Sequence, residues 1–200
     1  VGSVRCVEET ALVALNAVNG IEEWEINLEN SNIGSASASL GDFASDPAVY
    51  GSTIFGVGAF GETFSANKSG KVLWRNNIQS SSRLIVSGNS VFYSSNNSLI
   101  GRLNAKNGKI VFLKEFTGKR WVKYHGPLLL QNKLLVLATD KNAYWFSPED
   151  GRLLNKEKLG KKISSPPVIV NKRLMFVSED GMLNILNESN KENFLFIRAG

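Results

Sequence analysis

Short apolar runs recur along the whole chain, separated by Gly, Asn, Ser and Asp. They fall at 47–50, 54–58, 63–66 and 72–75, then at 84–86, 91–94, 99–104 and 110–114. Two further groups follow, at 127–130, 134–139, 143–146 and 152–156, and at 167–170, 174–178, 182–186 and 194–197. The runs are rich in Val, Ile, Phe and Leu, which suit a pleated, half-buried surface, so each predicts a strand. Every stretch with apolar positions at helical spacing is interrupted by a turn signal, so no helix is expected.

The grouping in fours has its own punctuation. Gly20, Gly70, Gly108 and Gly151 are preceded by Asn19, Ser69, Asn107 and Asp150. Asn-Gly and Asp-Gly between apolar runs predict tight hairpins, because both residues tolerate positive φ. Beyond these glycines stand Trp24, Trp74, Phe112 and Leu154, and a degenerate fifth copy has Ser189-Asn190 followed by Phe194. The turns are spaced by 50, 38, 43 and 39 residues. A period near 40 with strand-like contents predicts the four-stranded antiparallel blades of an all-β propeller. Blades are expected over about 47–78, 84–116, 127–159 and 167–198, with a partial blade at 1–28, all in one propeller segment spanning 1–200. The residue after each turn is expected on the outermost strand, packing back onto the next blade, because a blade cannot bury its faces alone.

Composition removes several function classes. No apolar run of about 18 residues occurs, so no membrane-spanning helix is expected. The opening VGSVRCVEET lacks a positively charged stretch followed by an apolar one, so no secretory leader is expected within it. Cys6 is the only cysteine and His125 the only histidine. One cysteine makes no intrachain disulfide and no cysteine-based metal site, and it reads as a small strand residue. Net charge is +5, unevenly spread: residues 1–50 hold one basic and eight acidic residues, net −7, and the rest hold 22 and 10, net +12. Opposed charge at two ends favours oriented association with a partner.

The motifs that could carry chemistry read as geometry. GVGAFGETF (56–64) spaces Gly56, Gly58 and Gly61 like a phosphate-binding loop, but without a following helix the cradle of N–H groups cannot form. Glu149-Asp150-Gly151 and Glu179-Asp180-Gly181 place paired carboxylates at turns, where such residues serve the backbone. No calcium-loop pattern and no phosphate loop of the Gly-x-x-x-x-Gly-Lys type occurs. No catalytic, cofactor-binding or metal-ligating residue is assigned, and no cofactor is expected. The chain is read as a non-enzyme.

ALNAVNGIEEW (14–24) resembles the tryptophan-docking repeat of the quinoprotein-like propellers, with Ala14, Gly20 and Trp24 matching and Asn16 standing for an aspartate. Residues 24–74, and residues 142–186 with Tyr144-Trp145 and Glu149-Asp150-Gly151-Arg152, are most similar to the BamB family of outer-membrane assembly lipoproteins. The resemblance implies the C-terminal half of an eight-bladed propeller, with the signal peptide, lipid anchor and remaining blades outside this sequence. It also implies a non-enzymatic scaffold of outer-membrane β-barrel assembly in the periplasm, attached to the outer membrane, that binds BamA and nascent outer-membrane proteins. The alternatives are a quinone-dependent dehydrogenase of the same superfamily, whose adjacent cysteines a chain with one cysteine cannot supply, or another propeller-type binding module.

Partner contacts are expected on the connectors between blades, at 29–46, 79–83, 117–126 and 160–166. The first, eighteen residues long, accounts for the 50-residue spacing; loops of this length are commonly functional. The resemblance implies that it contacts BamA. Asp42 occupies the first of the family's two aspartate positions, Ala44 stands at the second, and Asp46 is displaced by two. Leu40 and Asp42 are the assigned contacts. GKRWVKYHG (118–126) interleaves Lys119, Arg120 and Lys123 with Trp121 and Tyr124, a composition also found where single-stranded nucleic acid or lipid headgroups bind. KEKLGKK (156–162) adds Lys156, Lys158, Lys161 and Lys162 against Glu157. Arg120 and Lys161 are the second candidates for the protein contact, and no nucleic-acid partner is expected.

Overall fold

The computed structural model describes residues 3–6, 11–28, 45–58, 62–78, 80, 82–95, 98–116, 122–171, 173–187 and 195–198. Among them every regular element is a strand. The first sheet holds β1 (Ser3–Cys6), β2 (Ala11–Leu15) and β3 (Glu22–Asn27). The second holds β4 (Ala48–Tyr50), β5 (Thr53–Val57), β6 (Thr63–Asn67) and β7 (Val72–Asn76). The third holds β8 (Ile85–Ser87), β9 (Ser90–Ser94), β10 (Leu99–Asn104) and β11 (Ile110–Glu115). The fourth holds β12 (Tyr124–Leu130), β13 (Lys133–Ala138), β14 (Asn142–Phe146) and β15 (Leu153–Lys158). The fifth holds β16 (Val168–Val170), β17 (Arg173–Val177), β18 (Leu183–Asn187) and β19 (Leu195–Arg198). Within each sheet the strands pair antiparallel in chain order.

Apolar packing is divided among four layers, one between each pair of neighbouring sheets. Leu12 and Ile26 meet Ile54 and Phe64. Phe55, Val57 and Trp74 meet Val91, Tyr93 and Leu103. Phe92, Ile100 and Phe112 meet Leu134, Val136 and Phe146. Leu135, Leu137 and Trp145 meet Leu174, Phe176 and Leu186. Side chains alternate faces along a strand. A sheet covered on both sides therefore needs apolar residues throughout, and β9 and β13 bury Val91–Tyr93 and Leu134–Ala138 without a break.

The turns are where expectation and structure part. Tight two-residue hairpins are expected at Asn19-Gly20 and its equivalents. The strands instead stop earlier, and an Asn or Ser side chain closes a longer turn. Asn16, Asn67, Asn104 and Ser147 each accept the N–H two residues on, from Val18, Ser69, Lys106 and Glu149. Asn19, Asn107 and Asp150 repeat this within the same turns, accepting from Ile21, Lys109 and Arg152. These residues serve as side-chain acceptors, the Asx-turn role. The left-handed conformation falls on the glycine, with φ of 72° at Gly20 and 69° at Gly108.

After each of these turns the ladder slips by one residue. Ala14 pairs with Trp24 but Leu15 with Glu22, Ser65 with Trp74 but Ala66 with Val72, and Arg102 with Phe112 but Leu103 with Ile110. In the fourth sheet Trp145 pairs with Asn155 and Phe146 with Leu153. Asn155 therefore holds the place of the docking aromatic, and Leu154, the residue expected there, is the extra residue of the bulge, exposed to solvent. The aromatic on this blade sits one strand further in, as Trp145, buried against the fifth sheet. A second difference concerns 117–126, expected as a connector throughout: Tyr124 and His125 already belong to β12, with a register shift at Gly126-Pro127. The degenerate fifth turn at 189–190 lies outside the described residues.

Candidate docking site on the connector end

Antiparallel order sorts the loops of a blade. Turns joining first to second and third to fourth strands lie at one end. Turns joining second to third strands lie at the other, together with the connectors between blades. The seats for the outer strands are at the first end. The Trp24 indole donates to the Lys68 carbonyl at 2.8 Å and the Trp74 indole to the Ala105 carbonyl at 2.9 Å. The Asn76 amide donates to the Gly108 carbonyl at 2.7 Å. The indoles lie so close to the next turn that a Cβ on Gly70 would meet Trp24 Cγ at 2.6 Å, and one on Gly108 would meet Trp74 Cε3 at 2.6 Å. Phe112 stands in the same relation to Gly151. Each of the first three sheets is thereby keyed to its successor.

The connector end is stitched by hydroxyl groups. Thr63 donates to the Ile78 carbonyl at 2.8 Å, and Ser80 to the Ser94 carbonyl at 3.0 Å. Ser94 reaches the Gly126 carbonyl in the next sheet at 2.6 Å, and Ser98 shares a 2.9 Å hydrogen bond with the Tyr124 hydroxyl. The Tyr144 hydroxyl donates to Asp140 at 2.7 Å, and burial followed by that carboxylate raises its pKa. Buried hydroxyls that find carbonyl partners hold the loops rigidly, because an unmet partner there is costly. Burial, helped by Lys123, lowers the pKa of His125, which stands half-buried on β12.

Of the four residues assigned from the sequence, Leu40, Asp42 and Arg120 lie outside the described residues, as does most of the long connector. Lys161 is placed, and it is engaged: its ammonium pairs with Asp180 on the β17–β18 turn, while Lys162 pairs with Glu179 beside it. The Lys161 ammonium and then the Ser178 hydroxyl hold Asp180 down to about 2. The basic connector is thus a clasp between the fourth and fifth sheets, a role that nothing in its sequence announces. A second engaged pair, Arg75 with Glu62, lies beside the Phe64 ring, 5.8 Å from the guanidinium carbon. Among the described residues no three His, Cys, Asp or Glu side chains stand close enough together to hold a metal ion.

Sheets packed face to face in chain order, the first three each seated on a turn of the next, make this chain a run of β-propeller blades. The family model described as outer membrane protein assembly factor BamB matches residues 6–114, and the chain belongs to that family. Curated relatives of that description include one from Escherichia coli (strain K12), 21% identical over 79% of this chain and 40% of its own length. Another, from Legionella pneumophila (strain Paris), is 24% identical over 89% of this chain and 46% of its own length. The chain thus spans less than half the length of these relatives. The crystal structure of BamB from Moraxella catarrhalis superposes with a TM-score of 0.77 at 15% identity, over 88% of this chain and 53% of that one. That likeness shows the fold.

Proposed function

We propose that this chain is part of a non-enzymatic scaffold for the assembly of outer-membrane β-barrel proteins, working in the periplasm at the outer membrane. Membership of the BamB family carries the reading. The geometry supports it: keyed blades and stitched connectors make a rigid platform, which loses little entropy on binding a partner. The long connector at 29–46 holds a BamA-like protein through Leu40 and Asp42, with Arg120 and Lys161 on neighbouring connectors as secondary contacts. A lipid anchor outside this sequence keeps the scaffold at the membrane. Nascent barrel strands pair with exposed outer strands such as β11 and β15 by strand addition.

The test is charge reversal at the connector. Asp42→Arg leaves the urea midpoint unchanged, because a surface loop tolerates polar exchange within about 0.5 kcal/mol. It weakens calorimetric affinity for the periplasmic domains of a BamA-like protein by about tenfold or more, through lost pairing and new repulsion. Parental affinity in the variant would remove the long connector from the contact and leave Arg120 as the first candidate.

A further inference from the structure

The two ends of the blades differ in charge. On the hairpin end, Lys71, Lys109 and Arg152 follow the turn glycines of three successive sheets. Lys68 and Lys106 stand on two of the same turns, and Lys133 and Arg173 open second strands at the same end. All seven are exposed. Among the described residues only Arg152 has a carboxylate within ion-pair distance, Asp150 at 3.9 Å. Glu149 and Asp150 are the acidic residues on the described turns of the second to fourth sheets at this end, and exposed Glu22 and Glu23 follow the Gly20 turn of the first sheet, so the cationic surface is that of the second to fifth sheets. The connector end is mixed instead: Glu62, Glu115, Asp140, Glu157, Glu179 and Asp180 stand among its cations, and three of them are paired to cations across loops or strands.

The hairpin end also shows apolar tips between its lysines. Tyr50 and Val170 end first strands there, and Ile110 and Leu153 begin outer strands, each 45–51% exposed. In the second to fourth sheets every loop at this end is a turn of two to six residues, so no wall projects from it.

We propose that the hairpin end docks on an anionic phospholipid surface. Five of the seven cations are lysines, compact point charges on flexible stems, which suit a plane of phosphates better than the fixed fork of arginine would. Short apolar side chains among them enter the headgroup layer. A nucleic-acid strand would need a groove with stacking faces, and Tyr50 is the one aromatic residue exposed at this end among the described residues. The inference is independent of the BamA contact, which uses the opposite end.

Flotation with vesicles tests it, using the full chain. Vesicles of phosphatidylethanolamine with phosphatidylglycerol should retain the protein, vesicles of phosphatidylcholine alone should not, and salt should release it. Lys71→Gln and Lys109→Gln should each lower partitioning roughly fivefold, the effect of one basic residue near an anionic surface. Lys68→Glu with Lys106→Glu should abolish it, while Lys123→Glu with Lys158→Glu at the connector end leaves it unchanged. Far-UV circular dichroism and urea midpoints of all variants verify that they fold; the two single glutamine variants keep the test valid if a double variant does not. Equal retention of the glutamine variants and parent would overturn the proposal. So would retention indifferent to phosphatidylglycerol, or capture of an oligonucleotide or an acidic polypeptide by these lysines without vesicle binding.

Discussion

Gly108→Ala and Gly20→Ala make the same substitution at the same place in two blades, and they should differ in cost. Both glycines hold a left-handed backbone, φ 69° and 72°. An alanine in that region costs about 1–2 kcal/mol, and this part is shared. The surroundings are not shared. A Cβ on Gly20 meets nothing within 4 Å, whereas one on Gly108 lies 2.6 Å from Trp74 Cε3 and 2.7 Å from Cδ2. Ordinary carbon contacts start near 3.5 Å, so the indole has to retreat by about 1 Å. It is held from behind by its layer, with the Phe55 ring 6.1 Å away, and in place by the 2.9 Å bond to the Ala105 carbonyl. Overpacking of this kind costs about 1–3 kcal/mol, and a weakened hydrogen bond up to about 1 more. Gly108→Ala should therefore destabilise by about 2–6 kcal/mol and Gly20→Ala by about 1–2. Equilibrium urea unfolding followed by tryptophan emission reads both, since Trp74 reports its own displacement. Loss of equal stability in the two variants, within about 0.5 kcal/mol, would refute the claim that the turn glycines are seats for the preceding blade.

Further outcomes follow from other contacts. Trp74→Ala should cost about 3–5 kcal/mol and Trp74→Phe less, the difference including the Ala105 bond, with both read by urea unfolding. Tyr93 is buried and its hydroxyl finds no hydrogen-bond partner, so Tyr93→Phe should be neutral or slightly stabilising in the same assay. Burial pushes that hydroxyl up to about 12, so the fold should lose stability as pH rises from the ordinary tyrosine value toward 12, and Tyr93→Phe should flatten that limb of the pH profile. Asp180 titrates near 2, so its clasp contributes above the ordinary carboxylate range and fades as pH falls through 2. Carboxyl carbon shifts measured by NMR should show that midpoint, moved upward in Lys161→Met; an unmoved midpoint would mean that the pair does not form in solution.

The strands were legible because turn residues bound each run and the same order recurs in successive blades. Bulges leave no such mark. Leu154 looks like the docking residue, yet the slip between Trp145 and Phe146 puts Asn155 in that register position. The apolar run there starts at Pro127, so Tyr124 and His125 read as connector. The bulge there leaves Pro127 without a ladder partner, which is how a proline is accommodated in a sheet. The turn glycines were located correctly but with the wrong closure, because a side-chain acceptor three or four residues earlier competes with the two-residue hairpin. The Lys161–Asp180 pair was hidden for a different reason: its partners are 19 residues apart and meet only when the fourth and fifth sheets pack. Family resemblance, not local chemistry, supplied Leu40 and Asp42.

Hydrogen exchange of this chain with and without the periplasmic domains of a BamA-like protein tests the scaffold reading most directly. The account predicts protection across 29–46 and the neighbouring connectors, with exchange at the hairpin turns around Gly70 and Gly108 unchanged. Protection confined to the hairpin turns, or no change at any amide under saturating partner, would contradict it.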